Sequence, residues 1–223
     1  MKFTLYTATC RENAKNIKYP NDVEVIDEES LKSAVQFDHV SAKFTDDKRS
    51  NASFIESDCL MFDCDNSHSE NPEDWVTPLE LALTFPDVAF AVAYSRNHMK
   101  NQGNRIARPK FHVYFEADKA LSVEGRLHLK NEVREYFPYF DEKALDEAHF
   151  FFGVENPKVE WYQGNLTLTE FFEKDAFAEW DAQTELIQEG SRNSTMSHIA
   201  GKLIKRYGNT CLLYTSDAAD ERS

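Results

Sequence analysis

An apolar run that ends in two closely spaced carboxylates constrains the fold of this chain most. Cys59-Leu60-Met61-Phe62 is short and continuous, which is typical of a strand buried on both faces, and Asp63-Cys64-Asp65 follows at once. Residues two apart in a strand point to the same face, so we expect Asp63 and Asp65 side by side. Such charges repel unless a cation, usually divalent, lies between them. The alternative is a solvated strand end, with Asp65 and Asn66 beginning a turn.

A second strand is predicted to carry a cation and an imidazole on one face. In residues 110–115 an apolar set, Phe111, Val113 and Phe115, alternates with a polar set, Lys110, His112 and Tyr114. Lys110 and His112 in this arrangement can hold a triphosphate against metals on a neighbouring strand. A lone histidine in a strand is usually only a satisfied polar residue. The shared face with Lys110 favours the functional interpretation of His112.

A third carboxylate follows an aromatic pair, in Tyr139-Phe140-Asp141. Asp141 completes a three-carboxylate site in one interpretation. In the other, it only caps a helix, and Asp146 lies on a solvated face.

Composition limits the class of protein. The 223 residues are 41% hydrophobic and 13% aromatic, enough for one substantial domain and a fragment of a second. No apolar run approaches the roughly 20 residues of a membrane span, and the start lacks the apolar stretch of a signal peptide, so we expect a cytoplasmic protein that does not use a membrane. The four cysteines form no C-x-x-C pair, which indicates reduced thiols rather than a zinc site.

The distribution of charge matters more than its sum. A net charge of −14 disfavours phosphate binding over the chain as a whole. Residues 95–115 nevertheless contain no acid, and they carry Arg96, Lys100, Arg105, Arg108 and Lys110. Residues 191–216 are also free of acids. A local phosphate site therefore remains compatible with the sequence.

Strand and helix patterns alternate along the chain. Strands are predicted at residues 1–6, 59–62, 88–94 and 110–115. One helix is predicted from the residue after Asp27 to Val35, and another over residues 122–137. Two more are predicted to begin with capping boxes: one starts at Thr77-Pro78-Leu79-Glu80 and ends at about Phe85, and the other starts at Thr167 and ends at about Trp180. A short basic helix is predicted at residues 196–207.

The order of the three motifs resembles that of the archaeo-eukaryotic primase (primase-polymerase) superfamily: a strand with Asp-x-Asp, a basic residue-x-His in a strand, and an aromatic residue before Asp. The stretch Asp141-x4-Asp146-x2-His149-Phe-Phe-Phe-Gly153 resembles its phage and mobile-element branch. Lys110 and His149 depart from the residues that are commoner at those places. The resemblance implies an α+β fold, in which a central, mostly antiparallel sheet with an RRM-like core is flanked by helices.

The same resemblance implies the site and the reaction. Asp63, Asp65 and Asp141 would bind Mg²⁺ or Mn²⁺, with Asp146 as the substitute for Asp141, and His112 would join the three as a catalytic residue. The nucleotide-binding set would be Arg96, Arg108, Lys110 and His112. The activity would be template-directed transfer from NTP or dNTP on single-stranded DNA in a bacterial host, beside a helicase in the same or a separate chain.

The resemblance also divides the chain. Residues 1–185 would be the catalytic domain, and 186–210 would begin a PriCT-type helical domain, because Glu189-Gly-Ser-Arg-Asn193 and His198-Ile-Ala-Gly-Lys-Leu203 are similar to its start. The codons of residues 211–221 can be written as a transposase-end sequencing adapter. We therefore expect residues 211–223 to be an assembly artefact.

Two rival functions remain. A haloacid-dehalogenase-type phosphatase also ends a strand in Asp-x-Asp, but Asn66-Ser67 fits poorly where that family has Gly-Thr, and His112 has no role. A catalytically inactive DNA-binding replication module would keep the fold alone. The intact Asp63, Asp65 and His112 argue against that module.

Overall fold

The computed structural model describes residues 1–103 and 105–184. Contacts divide the chain into two units, Met1–Phe172 and a second that starts at Glu173 and is described as far as Thr184. The predicted segment 186–210, with its basic helix, and the adapter-like tail 211–223 lie outside the described residues. The domain boundary at residue 185 stays a prediction.

The first part of the chain forms two small antiparallel sheets. β1 (Phe3–Thr7) pairs with β2 (Asn21–Val25) on one side and, after helix α1 (Glu28–Val35), with β3 (His39–Val40) on the other. β4 (Lys43–Phe44) pairs with β5 (Phe54–Glu56). The sequence predicted β1 and α1, including the cap, in which the Asp27 carboxylate accepts from the Ser30 N–H at 2.8 Å. It did not predict β2 to β5.

The central sheet has four antiparallel strands. Its elements follow the order β6 (Cys59–Cys64), α2 (Pro78–Thr84), β7 (Phe90–Tyr94), β8 (Phe111–Glu116), α3 (Val123–Tyr136) and β9 (Val159–Tyr162). The strands lie side by side as β6-β8-β7-β9. The expected α+β fold, with a mainly antiparallel sheet flanked by helices, is confirmed.

Each face of the central sheet buries a separate core. Phe62, Val113 and Phe115 pack on one face with residues of α2, α3 and the start of α4 (Leu168–Thr184). Met61 and Tyr114 pack on the other face with β1 and α1. β6 is therefore buried on both sides, as predicted, and its two cysteines are free, buried thiols. The predicted alternation in β8 is also confirmed.

Two helices begin with the capping boxes that the sequence predicted. In α2 the Glu80 carboxylate accepts from both the N–H and the hydroxyl of Thr77. In α4 the Glu170 carboxylate accepts from the Thr167 N–H at 2.7 Å. Within the described residues, no helix combines the length and apolar character needed to cross a bilayer.

Candidate active site

Asp63 and His112 face each other across the β6–β8 ladder. The register pairs them directly, and Asp63 Oδ1 lies 3.8 Å from His112 Nε2. Both side chains are largely buried, with 19% of Asp63 and 9% of His112 exposed. Asp63 Oδ1 is itself buried, and no described residue donates a hydrogen bond to it. Because buried polar atoms are almost always satisfied, this oxygen indicates a place for a further ligand.

Asp65 lies just beyond β6 and forms an ion pair with Lys110, just before β8. Lys110 Nζ is 2.8 Å from Asp65 Oδ2, and the lysine side chain is only 10% exposed. The sequence predicted that both residues belong to one site. It did not predict that they would contact each other.

Asp141 adjoins Asp63 through the backbone. Its N–H donates to the Asp63 carbonyl oxygen at 2.8 Å. Its carboxylate also accepts from the Lys143 N–H at 2.9 Å, so the capping role that the sequence left open is present too. Asp146 is exposed, and its charge acts on His149. The structure therefore brings Asp141 rather than Asp146 next to Asp63.

The surroundings of Asp63 disfavour its charged form. Burial raises its pKa to about 8, and the charges of Asp65 and Asp141 contribute in the same direction, while Lys110 opposes them. At neutral pH, and with no further cation, this carboxyl group is mostly protonated. A divalent cation would replace that proton.

His112 is an uncharged imidazole held by stacking. Burial, together with the proximity of His39 and His149, lowers its pKa well below the ordinary value. Its ring lies on that of Phe151, with the centroids 3.7 Å apart and the planes 6° from parallel. Phe151 in turn pairs through its backbone with His39, at 3.0 and 2.9 Å. No role was predicted for His39, and Phe151 was predicted only as part of the stretch that resembles the phage and mobile-element branch.

His39 fixes the next polar residue of the same strand face. His39 Nδ1 lies 2.8 Å from the Phe37 carbonyl oxygen, which can only accept, so the proton is on Nδ1. His39 Nε2 then accepts from the Tyr114 hydroxyl at 2.8 Å. This hydrogen bond joins β3 to β8 two residues after His112.

Asn66 ties the end of β6 to the residues before β8. Its side chain donates to the carbonyl oxygens of Val76 and Pro109, both at 2.9 Å, and accepts from the Val76 N–H at 2.8 Å. Its φ of 50° is left-handed, a conformation that asparagine tolerates better than most residues. Asn66 thereby holds Asp65 close to Lys110. The sequence predicted Asn66 as the start of a turn and did not predict these hydrogen bonds.

Arg96 and Arg108 contact other parts of the protein. Arg108 donates to the Asn66 carbonyl oxygen at 2.9 Å and to Glu70 at 2.7 Å, and its side chain is 5% exposed. The Arg96 guanidinium lies 3.9 Å from the Phe152 ring centroid and 3.6 Å from Glu12. Binding of a nucleotide by either arginine stays a prediction.

A buried ion cluster fixes the segment that leads to Phe151. Glu147 lies 3.0 Å from Arg126 Nε and 2.9 Å from Lys130 Nζ, and all three side chains are almost fully buried. Arg126 also donates to the carbonyl oxygens of Ser57 and Cys59 at 2.9 and 2.6 Å. The cluster therefore links α3, the start of β6 and the segment before His149.

Residues 1–103 and 105–184 contain no group of three or more His, Cys, Asp or Glu side chains arranged to hold a metal ion. Two of the candidate ligands have other partners. Lys110 occupies one oxygen of Asp65, and the Lys143 N–H occupies one oxygen of Asp141. Convergence of Asp63, Asp65 and Asp141 on a metal stays a prediction.

No family model matches the sequence, and no curated protein matches it. Among solved structures, the chain is similar to the AEP domain of the Cyanophage S-2L primase-polymerase, with 10% sequence identity and a TM-score of 0.42. The matched region covers 77% of this chain and 88% of that one.

Proposed function

We propose that this chain is a nucleotidyltransferase of the primase-polymerase type, which uses Mg²⁺ or Mn²⁺ to add nucleotides from NTP or dNTP along a single-stranded DNA template. One observation carries the proposal. The buried, unpaired oxygen of Asp63 lies at the end of β6, with the charges of Asp65 and Asp141 beside it and His112 opposite. The order of the sequence motifs supports the same function.

The donor groups fit a divalent metal. All three carboxylates offer oxygen, which Mg²⁺ and Mn²⁺ prefer, and the unpaired oxygen of Asp63 lacks the partner that a cation would supply. Asp63, Asp65 and Asp141 would hold the metal. When bound, a pair of metals would activate the attacking hydroxyl and stabilise the leaving pyrophosphate.

Lys110 and His112 would bind the triphosphate. Lys110 now contacts Asp65, and a metal on that carboxylate would free the ammonium group for phosphate oxygens. His112 would act as an uncharged hydrogen-bond donor, because burial keeps its imidazole neutral. Arg96 and Arg108 would complete the nucleotide-binding set.

Nucleotide incorporation by the full chain tests the proposal. Primed and unprimed single-stranded DNA are incubated with dNTP or NTP and either Mg²⁺ or Mn²⁺. We expect metal-dependent incorporation that Asp63→Asn abolishes, since the change keeps the shape of the side chain and removes its charge. Asp22→Asn is the matched control, because Asp22 is an exposed residue of β2 that forms a surface ion pair with Lys43 at 3.7 Å, and it should keep activity.

Two results would overturn the proposal. DNA binding by a folded chain without incorporation under either metal would indicate an inactive replication module. Release of phosphate from a phosphomonoester, lost in Asp63→Asn, would indicate the phosphatase instead.

A further inference from the structure

Two lysines face each other across an antiparallel bridge on the surface. Lys18 pairs with Lys48, and the flanking bonds run from the Tyr19 N–H to the Asp47 carbonyl oxygen at 3.0 Å and from the Arg49 N–H to the Ile17 carbonyl oxygen at 2.8 Å. Both lysines are exposed. Like charges directly opposite each other destabilise a strand pair.

Within the part of the chain that the structure describes, neither lysine forms an ion pair, although Asp46 and Asp47 directly precede Lys48 in the chain. Among the described residues, no Asp or Glu oxygen lies within 4.0 Å of either ammonium group. The chain has 39 acidic residues and 25 basic ones, so it has more than enough carboxylates to pair with every cation. The stability of the fold does not explain why two lysines face each other here, whereas the binding of an anionic ligand would explain it.

Arg49 connects the lysine pair to the candidate active site. Its Nη1 donates to the Ala148 carbonyl oxygen at 2.8 Å, and its guanidinium lies 4.4 Å from the Phe150 ring centroid. The next residue, Phe151, stacks on His112. A continuous set of contacts therefore runs from the exposed lysines to the residue that faces Asp63.

We infer that Lys18, Lys48, Arg49 and Phe150 form a surface that binds single-stranded nucleic acid and leads it to the site; the inference rests on the proposed function for what happens to the strand there. The two ammonium groups would neutralise successive phosphates. Arg49 is half-buried and its Nε is inaccessible, so a base would stack on the accessible part of the guanidinium, on the side away from Phe150. A single strand suits this surface better than a duplex, because only an unpaired base can turn onto the guanidinium.

Binding of a labelled single-stranded oligonucleotide, followed by fluorescence anisotropy over a series of salt concentrations, tests the inference. The full chain is used without metal or nucleotide. Lys18→Gln/Lys48→Gln is compared with Lys2→Gln/Lys119→Gln, which removes the same charge from other exposed positions of the same unit. Loss of two phosphate contacts should weaken binding on the order of tenfold and reduce the slope of log affinity against log salt by about 1.4. The control should bind like the parent chain.

Two further variants separate binding from folding and from charge. Thermal unfolding of Lys18→Gln/Lys48→Gln should occur at the same temperature as in the parent or a higher one, because the repulsion is removed. Arg49→Lys should lose affinity at an unchanged salt slope, because the charge stays and the stacking plane is lost.

Equal losses in the two double variants, no loss in either, or the same loss with duplex DNA would overturn the inference. The outcomes also separate it from the proposed function. Incorporation by the parent chain together with normal binding by Lys18→Gln/Lys48→Gln would reject only the surface. Impaired binding in that variant, with no incorporation by the parent chain, would support the surface and reject the enzyme.

Discussion

The N–H of Asp141 donates to the carbonyl oxygen of Asp63 at 2.8 Å. The aromatic residue before Asp141 holds the chain in the position that this bond requires. Phe140 stacks on Phe62 with ring centroids 4.6 Å apart, in the core beneath β6. Burial of Phe140 therefore fixes the chain at the point where Asp141 meets the strand end. In this motif the aromatic residue packs in the core, and its packing places the carboxylate of the next residue at the end of β6.

The first prediction concerns the stability of the metal-free protein. The pKa of Asp63 is raised from 3.8 to about 8, so the stability that its protonated form provides is complete below pH 4 and is lost as the pH rises to 8. Asn imitates the protonated form at every pH. Asp63→Asn should therefore be more stable than the parent chain, by an amount that grows by ~2–4 kcal/mol between pH 5 and pH 8.5. Urea unfolding with a chelator present measures this difference.

Added Mn²⁺ provides the control. It should stabilise the parent chain and not Asp63→Asn, because only the parent has the carboxylate to bind it. A stability difference that is the same at pH 5 and pH 8.5 would show that Asp63 ionises freely.

The second prediction concerns His112. Because burial lowers its pKa well below the ordinary value, the imidazole should show no protonation midpoint near pH 6.5 when its ring protons are followed by NMR. His112→Ala should mainly raise KM for the nucleotide, by about 10–100-fold, as expected for the loss of a hydrogen bond to a charged group. A titration midpoint near 6.5, or a defect confined to kcat, would contradict this role.

Local patterns predicted the parts of the site that lie within one strand. The period of two placed His112 and Tyr114 on one face of β8, with Lys110 just before the strand on the same side, and the structure agrees. That Asp63 faces His112 was beyond reach, because it depends on the register between strands 49 residues apart in the chain. The stacking of Phe151 on His112 depends in the same way on a distant backbone pairing, with His39.

Glu147 shows a different limit. In the sequence it stands beside Asp146 and resembles a solvated acid. It is buried because Arg126 and Lys130, one helical turn apart on α3, both point towards it. The sequence of a helix does not reveal that two of its cations face inward, since long charged side chains are usually exposed. The strand β2 escaped prediction for a different reason: three of its five residues are exposed, so it has no apolar run to mark it.

The third prediction tests that cluster. Glu147→Gln would leave two buried cations without a counter-charge, and we expect a loss of about 3–5 kcal/mol in the free energy of unfolding. Glu155→Gln is the control, because Glu155 is exposed and pairs with Arg11 at 3.6 Å; it should cost less than about 1 kcal/mol. Urea unfolding measures both. Similar losses of free energy of unfolding in Glu147→Gln and Glu155→Gln would mean that water reaches Arg126 and Lys130.

Gly153 ends the segment that carries Phe151, and it has no room for a side chain. A Cβ added there would lie 2.6 Å from the Phe37 carbonyl carbon, a backbone atom that cannot move aside. The Gly153 N–H donates to Asp38 Oδ1 at 2.8 Å, and the same carboxylate accepts from the N–H groups of Glu12 and Asn13. A shift at Gly153 would therefore disturb both the N-terminal loop and the support of His112.

The fourth prediction follows from that close contact. Gly153→Ala should destabilise the protein by about 1–3 kcal/mol, because the methyl group forces two backbone segments apart. It should also impair nucleotide use beyond the loss of folded protein, since Phe151, two residues away, holds the His112 ring. Gly125→Ala is the matched control: the nearest atom to its added Cβ is Ser122 Oγ at 3.5 Å, and alanine favours helix α3 by roughly 0.5–1 kcal/mol. In urea unfolding, Gly153→Ala should lower the free energy of unfolding and Gly125→Ala should raise it. Equal changes in the two variants would show that the segment around Gly153 adjusts to the methyl group without strain.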